Sequence, residues 1–214
     1  MKNLFSLDSK LMQSLQTVGD YIIFNILFIL CCLPVVTIGA AKTALYQFMF
    51  DTMDGRGNNF KRFFKTLTGE FRRITPIFLL RLLISVILSW EIIWVSYSEI
   101  PFQQPVVIVL LLTMLISGML FGTVPMQASI FNATRKEYLK NSIYMAITRP
   151  GRAFLVAVMD LLPIILFLVE PAFTAVTMGL LWFFFYFAIT ADLSARLWRK
   201  PFLQYIDNAE ANSR

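Results

Sequence analysis

The clearest indication of the fold is the segment NILFILCCLPVVTIGAAKTALY, which runs from Asn25 to Tyr46. It places two cysteines, a proline and a glycine in a run that is otherwise almost wholly apolar. A helix of a water-soluble core is rarely apolar on every side, whereas a helix that faces hydrocarbon is, and its neighbours let it tolerate proline and glycine. The stretch therefore predicts a segment embedded in a membrane.

The composition of the whole chain supports this prediction. Of the 214 residues, 57% are hydrophobic and 15% are charged, and the mean hydropathy is +0.67. A helix of about 20 apolar residues crosses a hydrocarbon core of about 30 Å. We expect an all-α, polytopic membrane helical bundle that forms one integral domain over residues 1–214. Five segments are candidate transmembrane helices: residues 21–41, 75–97, 105–125, 153–169 and 171–191.

The distribution of Lys and Arg predicts the orientation, because short cytoplasmic loops carry the excess of positive charge. The links after the second and fourth spans contain Glu99 and Glu170 but no basic residue. We therefore expect the other two loops and the C-terminus in the cytoplasm, and the N-terminus outside. The basic residues of those cytoplasmic parts are Lys42, Arg56, Lys61, Arg62, Lys65, Arg72, Arg73, Arg135, Lys136, Lys140, Arg149, Arg152, Arg196, Arg199 and Lys200.

An alternative for the first span comes from Lys2 and Lys10, which this orientation would place outside. Proline lacks the backbone N–H and clashes with the preceding turn. Pro34 would then divide the opening segment into two short helices that form a re-entrant or tight hairpin, with the N-terminus inside.

Two segments have the pattern of amphipathic helices. The N-terminal one places Leu7, Leu11, Leu15, Val18 and Ile22 at helical spacing, which is typical of an interfacial helix that leads into the first span. The cytoplasmic one is FKRFFKTLTGEFRR at residues 60–73. Either it rests on the membrane surface or it docks a cytoplasmic partner. Its apolar stripe consists of Phe60, Phe63, Phe64, Leu67 and Phe71.

The chain offers few residues for catalysis or metal binding. It has no histidine, which removes imidazole ligands and the commonest general base, and it has no glycine-rich phosphate loop. The two cysteines, Cys31 and Cys32, are adjacent, which is poor geometry for a disulfide. The net charge of +6 follows membrane sides rather than one recognition element. We expect no enzyme activity, no cofactor, no metal and no nucleic acid; the lipid bilayer is the expected partner.

Two charged residues, Arg81 and Asp160, lie well inside the expected spans. Residues 60–83 can be overlaid on residues 139–162 at a constant offset of 79, which places Arg81 opposite Asp160. The overlay predicts a parallel internal repeat, unless the two segments share only the pattern of membrane re-entry. A charge in hydrocarbon costs about 3 kcal/mol on insertion scales. Arg81 could therefore extend alone to the interface, the two could form a structural ion pair, or Asp160 could line a polar path.

The opening stretch also contains a candidate helix-packing motif. Small side chains let another helix approach closely, and they are supplied here by Gly39, Ala40 and Ala44. Pro34 and Thr37 allow a bend, and Asn25 can form a hydrogen bond across a helix interface. The alternative is a break in the helix that binds a ligand.

These residues also carry a resemblance to a known family. The segment from Asn25 to Tyr46 resembles the signature of the YesL family of bacterial membrane proteins, a domain of unknown function, and Gly57–Lys65 approximates the next pattern of that family. The resemblance extends over nearly the whole chain. It implies a multi-pass protein of the bacterial cell membrane, commonly encoded beside carbohydrate ABC importers and polysaccharide-degrading enzymes. It supplies no catalytic residue.

Two functions fit these observations. The first is a non-enzymatic accessory or assembly subunit that binds the permease subunits of a carbohydrate ABC importer. The second is a small transporter or channel, which would need an oligomer because five spans are few for a pathway within one protomer.

Overall fold

The computed structural model describes residues 10–56, 60–98, 101–170, 172 and 179–212, and within them the chain forms helices and no strand. The helices pack as a bundle, which confirms the expected all-α fold. Gly57, Lys2, Leu7 and Glu99, and most of residues 171–178 of the fifth expected span, lie outside the described residues. The helices are α1 Lys10–Cys31, α2 Ile38–Met53, α3 Phe60–Ser96, α4 Gln103–Phe121, α5 Val124–Ile130, α6 Arg135–Thr148, α7 Pro150–Val169 and α8 Phe187–Asn212; a helical turn, Gly179–Leu181, and a π-helical segment, Trp182–Tyr186, precede α8.

Helices α1 and α2 form an antiparallel hairpin around Pro34. Phe24 of α1 stacks on Phe48 of α2, with ring centroids 3.6 Å apart. At the break, the backbone of Pro34 is extended, and Thr37 Oγ1 lies 2.5 Å from the carbonyl oxygens of Cys31 and of Pro34. Proline has no backbone N–H to donate to the preceding turn. The hydroxyl of Thr37 donates to carbonyl oxygens that have no partner at the end of a helix. Both effects end α1 at this point.

The single span expected over residues 21–41 is therefore wrong, because α1 ends at Cys31 and α2 begins at Ile38. The segment follows the alternative of a hairpin. As a result, the beginning of α1 lies at the same end of the bundle as the end of α2.

Helix α2 is the central helix of the bundle. The side chains of Ala40, Ala44 and Met49 are 0% exposed, and α2 contributes to a large apolar core together with α1, α7 and α8. Trp198 and Phe202 of α8 close this core towards the end where α2 terminates. A helix that is buried on most sides needs apolar or small residues all round, which explains why the sequence of α2 resembles a membrane span.

Helices α4 and α7 run antiparallel and pack closely. A Cβ atom at Gly118 would lie 3.0 Å from the Cβ of Ala157, and one at Gly122 would lie 3.4 Å from Val156. Further along, Met114 and Leu161 share a second cluster with Ile92 of α3. Small residues at the contact let the helix backbones approach one another.

Two of the described helical segments are long and apolar enough to cross a membrane: residues 60–96 and residues 103–130, the second combining α4 and α5. Only 11% and 22% of their most apolar windows are buried inside the bundle. Apolar surface on this scale marks a membrane or protein contact. The exposed apolar side chains of α3 and α4 include Leu80, Leu83, Val86, Ile87, Trp90, Ile93, Trp94, Ile108, Val109, Leu112 and Ile116.

Basic residues from distant parts of the chain meet at one end of the bundle. Arg199 of α8 contacts Asp54 after α2 at 2.8 Å, and Arg149 contacts Gln204 at 2.8 Å. Arg135 of α6 donates to the carbonyl of Arg72, which lies in the first half of α3. The segments whose basic residues predict one side of the membrane therefore lie at the same end of the bundle, which we call the basic end.

The helices differ from the expected elements in three places. The cytoplasmic helix at 60–73 and the span at 75–97 are one continuous helix, α3, which Pro76 does not interrupt. The third expected span, 105–125, lies within the apolar segment 103–130, in which α4 ends at Phe121 and α5 follows after a turn. In the proposed repeat, the first segment lies within α3, whereas the second is divided between α6 and α7 at Pro150. The two copies therefore differ in helix layout.

Candidate functional site

A cluster of three charged side chains lies where α2, α3 and α7 meet. Asp160, in the middle of α7, accepts from Lys42 Nζ at 2.5 Å through Oδ1. Its other oxygen, Oδ2, accepts from Nη1 and Nη2 of Arg81 at 3.1 and 3.2 Å. The exposed fractions of the three side chains are 19% for Lys42, 12% for Arg81 and 12% for Asp160. One carboxylate therefore ties three helices together.

The structure thus brings together the two charged residues that the sequence singled out, and it adds Lys42. The expectation that Lys42 belongs to a cytoplasmic loop is wrong, because Lys42 lies inside α2 and contacts Asp160. A signal was present in the sequence. Lys42 is the one charged residue between Tyr21 and Phe50, and it lies in a run of small and apolar residues.

A cavity of about 180 Å³ adjoins the charged cluster. Its polar wall holds the three charges and the hydroxyl-bearing residues Tyr46, Ser85, Tyr186 and Thr190, and its other walls are apolar. Tyr186 donates to the carbonyl oxygen of Met159, the residue before Asp160. The apolar lining residues are Phe28, Ile38, Leu45, Phe78, Leu82, Met159, Leu161, Pro163, Ile164, Phe187 and Ala191.

The π-helical segment that carries Tyr186 is held by Asn25. The side-chain amide of Asn25 donates to the carbonyl oxygens of Trp182 and Phe183 at 2.9 and 2.6 Å, and its oxygen accepts from the backbone N–H of Ala188 at 2.8 Å. A π segment breaks the regular hydrogen-bond ladder of a helix, and it often lies at a functional site. Asn25 thus forms the hydrogen bond across a helix interface that its position suggested.

The small residues of the packing motif face neighbouring helices of this same chain. A Cβ atom at Gly39 would lie 2.6 Å from Cβ of Phe78 and 3.2 Å from Cγ2 of Ile74, both on α3. Ala40 and Ala44 are fully buried. At the break between α1 and α2, the hydroxyl of Thr75 on α3 donates to the carbonyl oxygen of Val36 at 3.2 Å. The structure therefore places Gly39 at an internal contact between α2 and α3, and Ala40 and Ala44 inside the bundle.

The apolar stripe at the start of α3 does not stay together as one surface. Phe63 is 2% exposed and makes an edge contact with Phe24, and Leu67 packs against the same core. Phe60 and Phe64 remain 47% and 45% exposed, and Phe71 is half-buried. Part of the stripe thus anchors α3 to the bundle, and the rest remains available to a membrane or a partner.

An open groove of about 650 Å³ lies at the basic end. One wall is formed by Lys61, Arg62 and Lys65 on α3, and the other by residues 128–132 around the end of α5. Arg62 contacts Asp51 at 3.1 Å, whereas the ammonium groups of Lys61 and Lys65 make no ion pair or hydrogen bond with any residue that the structure describes. Glu70, which also lines the groove, lies 3.4 Å from Arg73. The groove therefore presents positive charge.

Helix α6, beside the groove, begins with a capping box. Thr134 accepts from the backbone N–H of Glu137, and Glu137 accepts from the backbone N–H of Thr134 at 2.7 Å. The hydrogen bond from the backbone of Thr134 is the main cause that holds the pKa of Glu137 below its usual value. These reciprocal bonds satisfy two donors at the start of the helix.

Comparison with protein-family models relates part of the chain to a known family. Residues 21–92 match DUF624, which is described as a protein of unknown function. The matched region begins within α1 and ends near the C-terminal end of α3. It contains Lys42 and Arg81, whereas Asp160 lies outside it. Comparison with curated proteins and with solved structures gave no match. Within the described residues, no group of three or more His, Cys, Asp or Glu is placed to hold a metal ion.

Proposed function

We propose that this chain is a YesL-like, multi-pass protein of the bacterial cell membrane, with its basic end in the cytoplasm. The proposal is supported by the exposed apolar sides of α3 and α4 and by the collection of basic residues at one end of the bundle. Positive charge concentrates on the cytoplasmic side of membrane proteins. The hairpin places the start of α1 at that same end, so that Lys10 no longer conflicts with the orientation.

Cysteine labelling tests this orientation. In a background with Cys31 and Cys32 replaced by alanine, Gln103→Cys should react with an impermeant thiol reagent applied outside the cell. Lys10→Cys should react only after the membrane is opened. If both react from outside, the hairpin orientation is wrong; if neither does, the segment between α3 and α4 is not external.

The biochemical role that we propose is that of a non-enzymatic accessory subunit of a carbohydrate ABC importer. The resemblance to the YesL family supports the importer, and the groove at the basic end supports a docking role. Lys61 and Lys65 face this groove without an ionic partner among the described residues, so an acidic cytoplasmic segment of a permease subunit would find complementary charge there. Charge complementarity of this kind steers association and fixes the orientation of partners.

Affinity purification in mild detergent tests the role. The wild-type chain should recover the permease subunits, and Lys61→Glu with Lys65→Glu should reduce the recovery by tenfold or more. The matched control is Lys136→Glu with Lys140→Glu, which makes the same change in charge on α6, outside the groove. Equal loss in both double variants would show that net charge alone matters. Absence of permease subunits from the wild-type preparation would overturn the proposal.

A second candidate is a small transporter or channel that acts as an oligomer. The charged cavity between α2, α3 and α7 supports it, since ionisable groups inside membranes often line substrate or ion paths. The observation expected of this function is a stable homo-oligomer that conducts or transports sugar in liposomes. A purified monomer without transport would leave the accessory role as the better account.

A further inference from the structure

We propose that the cavity beside Asp160 binds a small organic monocarboxylate, whose carboxylate is held by Lys42 and Arg81. The first argument is charge. The cluster combines two cations with one carboxylate, and the other residues that line the cavity are uncharged. Buried charge that has no counter-charge is costly, and one further carboxylate would complete the balance.

The second argument is the number of donors that remain. An ammonium group has three N–H donors and a guanidinium has five. Lys42 uses one donor on Oδ1, and Arg81 uses two on the single oxygen Oδ2. Both cations therefore keep donors for a second carboxylate. The cavity is partly open, so a small ligand can reach these donors.

The third argument is the size and chemistry of the walls, which define the class of ligand. A buried apolar cavity of about 150 Å³ can hold benzene. The cavity here, about 180 Å³, has a comparable size, and its lining includes the rings of Phe28, Phe78 and Phe187. This space fits one aromatic ring, or an aliphatic chain of similar volume, that carries a single carboxylate. Benzoate is a suitable probe.

The first experiment compares benzoate with benzyl alcohol, a neutral molecule of similar shape, on the purified full chain in detergent. A ligand that binds only the folded state raises the melting temperature with its concentration. Benzoate at a hundredfold excess over its Kd should raise the melting temperature by about 5 to 10 °C. Benzyl alcohol should have no such effect. Equal shifts for the two molecules would overturn the proposal, whatever the fate of the importer hypothesis.

The second experiment uses variants. Lys42→Met leaves a balanced pair of Arg81 and Asp160 and should weaken benzoate binding at least tenfold. The matched control, Lys140→Met, removes the same charge from an exposed site on α6 and should leave binding unchanged. Asp160→Asn frees both cations and should tighten binding. If Lys42→Met binds benzoate as the wild type does, the site is not this one; if it does not fold, the opposite shift expected of Asp160→Asn decides.

Discussion

The contact between Gly39 and α3 gives the sharpest prediction, because its geometry sets the sign. In Gly39→Ala, the new Cβ would lie 2.6 Å from Cβ and 2.9 Å from Cγ of Phe78. The Cβ of Phe78 is fixed to the backbone of α3, so rotation of the ring cannot remove this overlap, and α2 and α3 must move apart. Overpacking of this kind costs about 1–3 kcal/mol, which outweighs the gain of under 1 kcal/mol from replacing glycine by alanine in a helix.

The matched control is Gly69→Ala in α3, where a Cβ would meet no atom within 4 Å. This change should stabilise the chain by about 0.5–1 kcal/mol through helix propensity alone. For a chain of this size, 1 kcal/mol corresponds to about 2–4 °C in the melting temperature. We expect Gly39→Ala to melt up to about 10 °C below the wild type, because the gain in helix propensity offsets part of the cost of the overlap. Gly69→Ala should melt slightly above the wild type, and tryptophan fluorescence in detergent follows both transitions.

A melting temperature of Gly39→Ala at or above that of the wild type would show that the overlap with Phe78 does not force α2 and α3 apart. A further variant, Gly39→Leu, should be more destabilised than Gly39→Ala because its branched side chain needs more room. If Gly39→Leu instead kept full stability and lost only a partner, the contact that matters would lie between chains.

Three further predictions concern the charged cluster, the π segment and the start of α6. Asp160→Leu should destabilise the chain by about 3–5 kcal/mol because it leaves two cations without a counter-charge. Adding Arg81→Leu should not restore stability, since Lys42 stays unpaired. Lys42→Met should reduce the free energy of unfolding least, and denaturant titration of the three variants gives their order. Asn25→Leu strips the carbonyls of the π segment of their donors and should cost about 2–5 kcal/mol, whereas an unchanged midpoint would show that other groups satisfy them. The pKa of Glu137 is lowered in the folded chain, so its contribution to stability is present above the unfolded pKa of 4.5 and is lost as the pH falls through the folded pKa. Below pH 4.5, the stability of Glu137→Gln should therefore depend less on pH than that of the wild type.

The fold class and several residues of the charged cluster could be predicted from the amino-acid sequence alone. Continuous apolar segments can bury their surface only as packed helices or against lipid, so composition and periodicity were sufficient to predict a helical bundle. A charge in such surroundings needs a partner, which distinguishes Arg81 and Asp160 in the sequence alone. Asn25 and Gly39 were recognised for the same kind of reason, since an amide or a glycine in an apolar helix implies a close neighbour.

The neighbours of these residues could not be predicted from the sequence, because they depend on how the helices pack. Hydropathy does not distinguish a helix that crosses a membrane from one that is buried by its own bundle, so the hairpin at Pro34 and the place of α2 depend on the stacking of Phe24 on Phe48. The sequence alone assigns Lys42 to a loop. The packing of α7 against α2 places the carboxylate of Asp160 beside its ammonium group. Contacts between residues more than a hundred positions apart depend on how the helices pack together, and no local pattern of sequence encodes that arrangement.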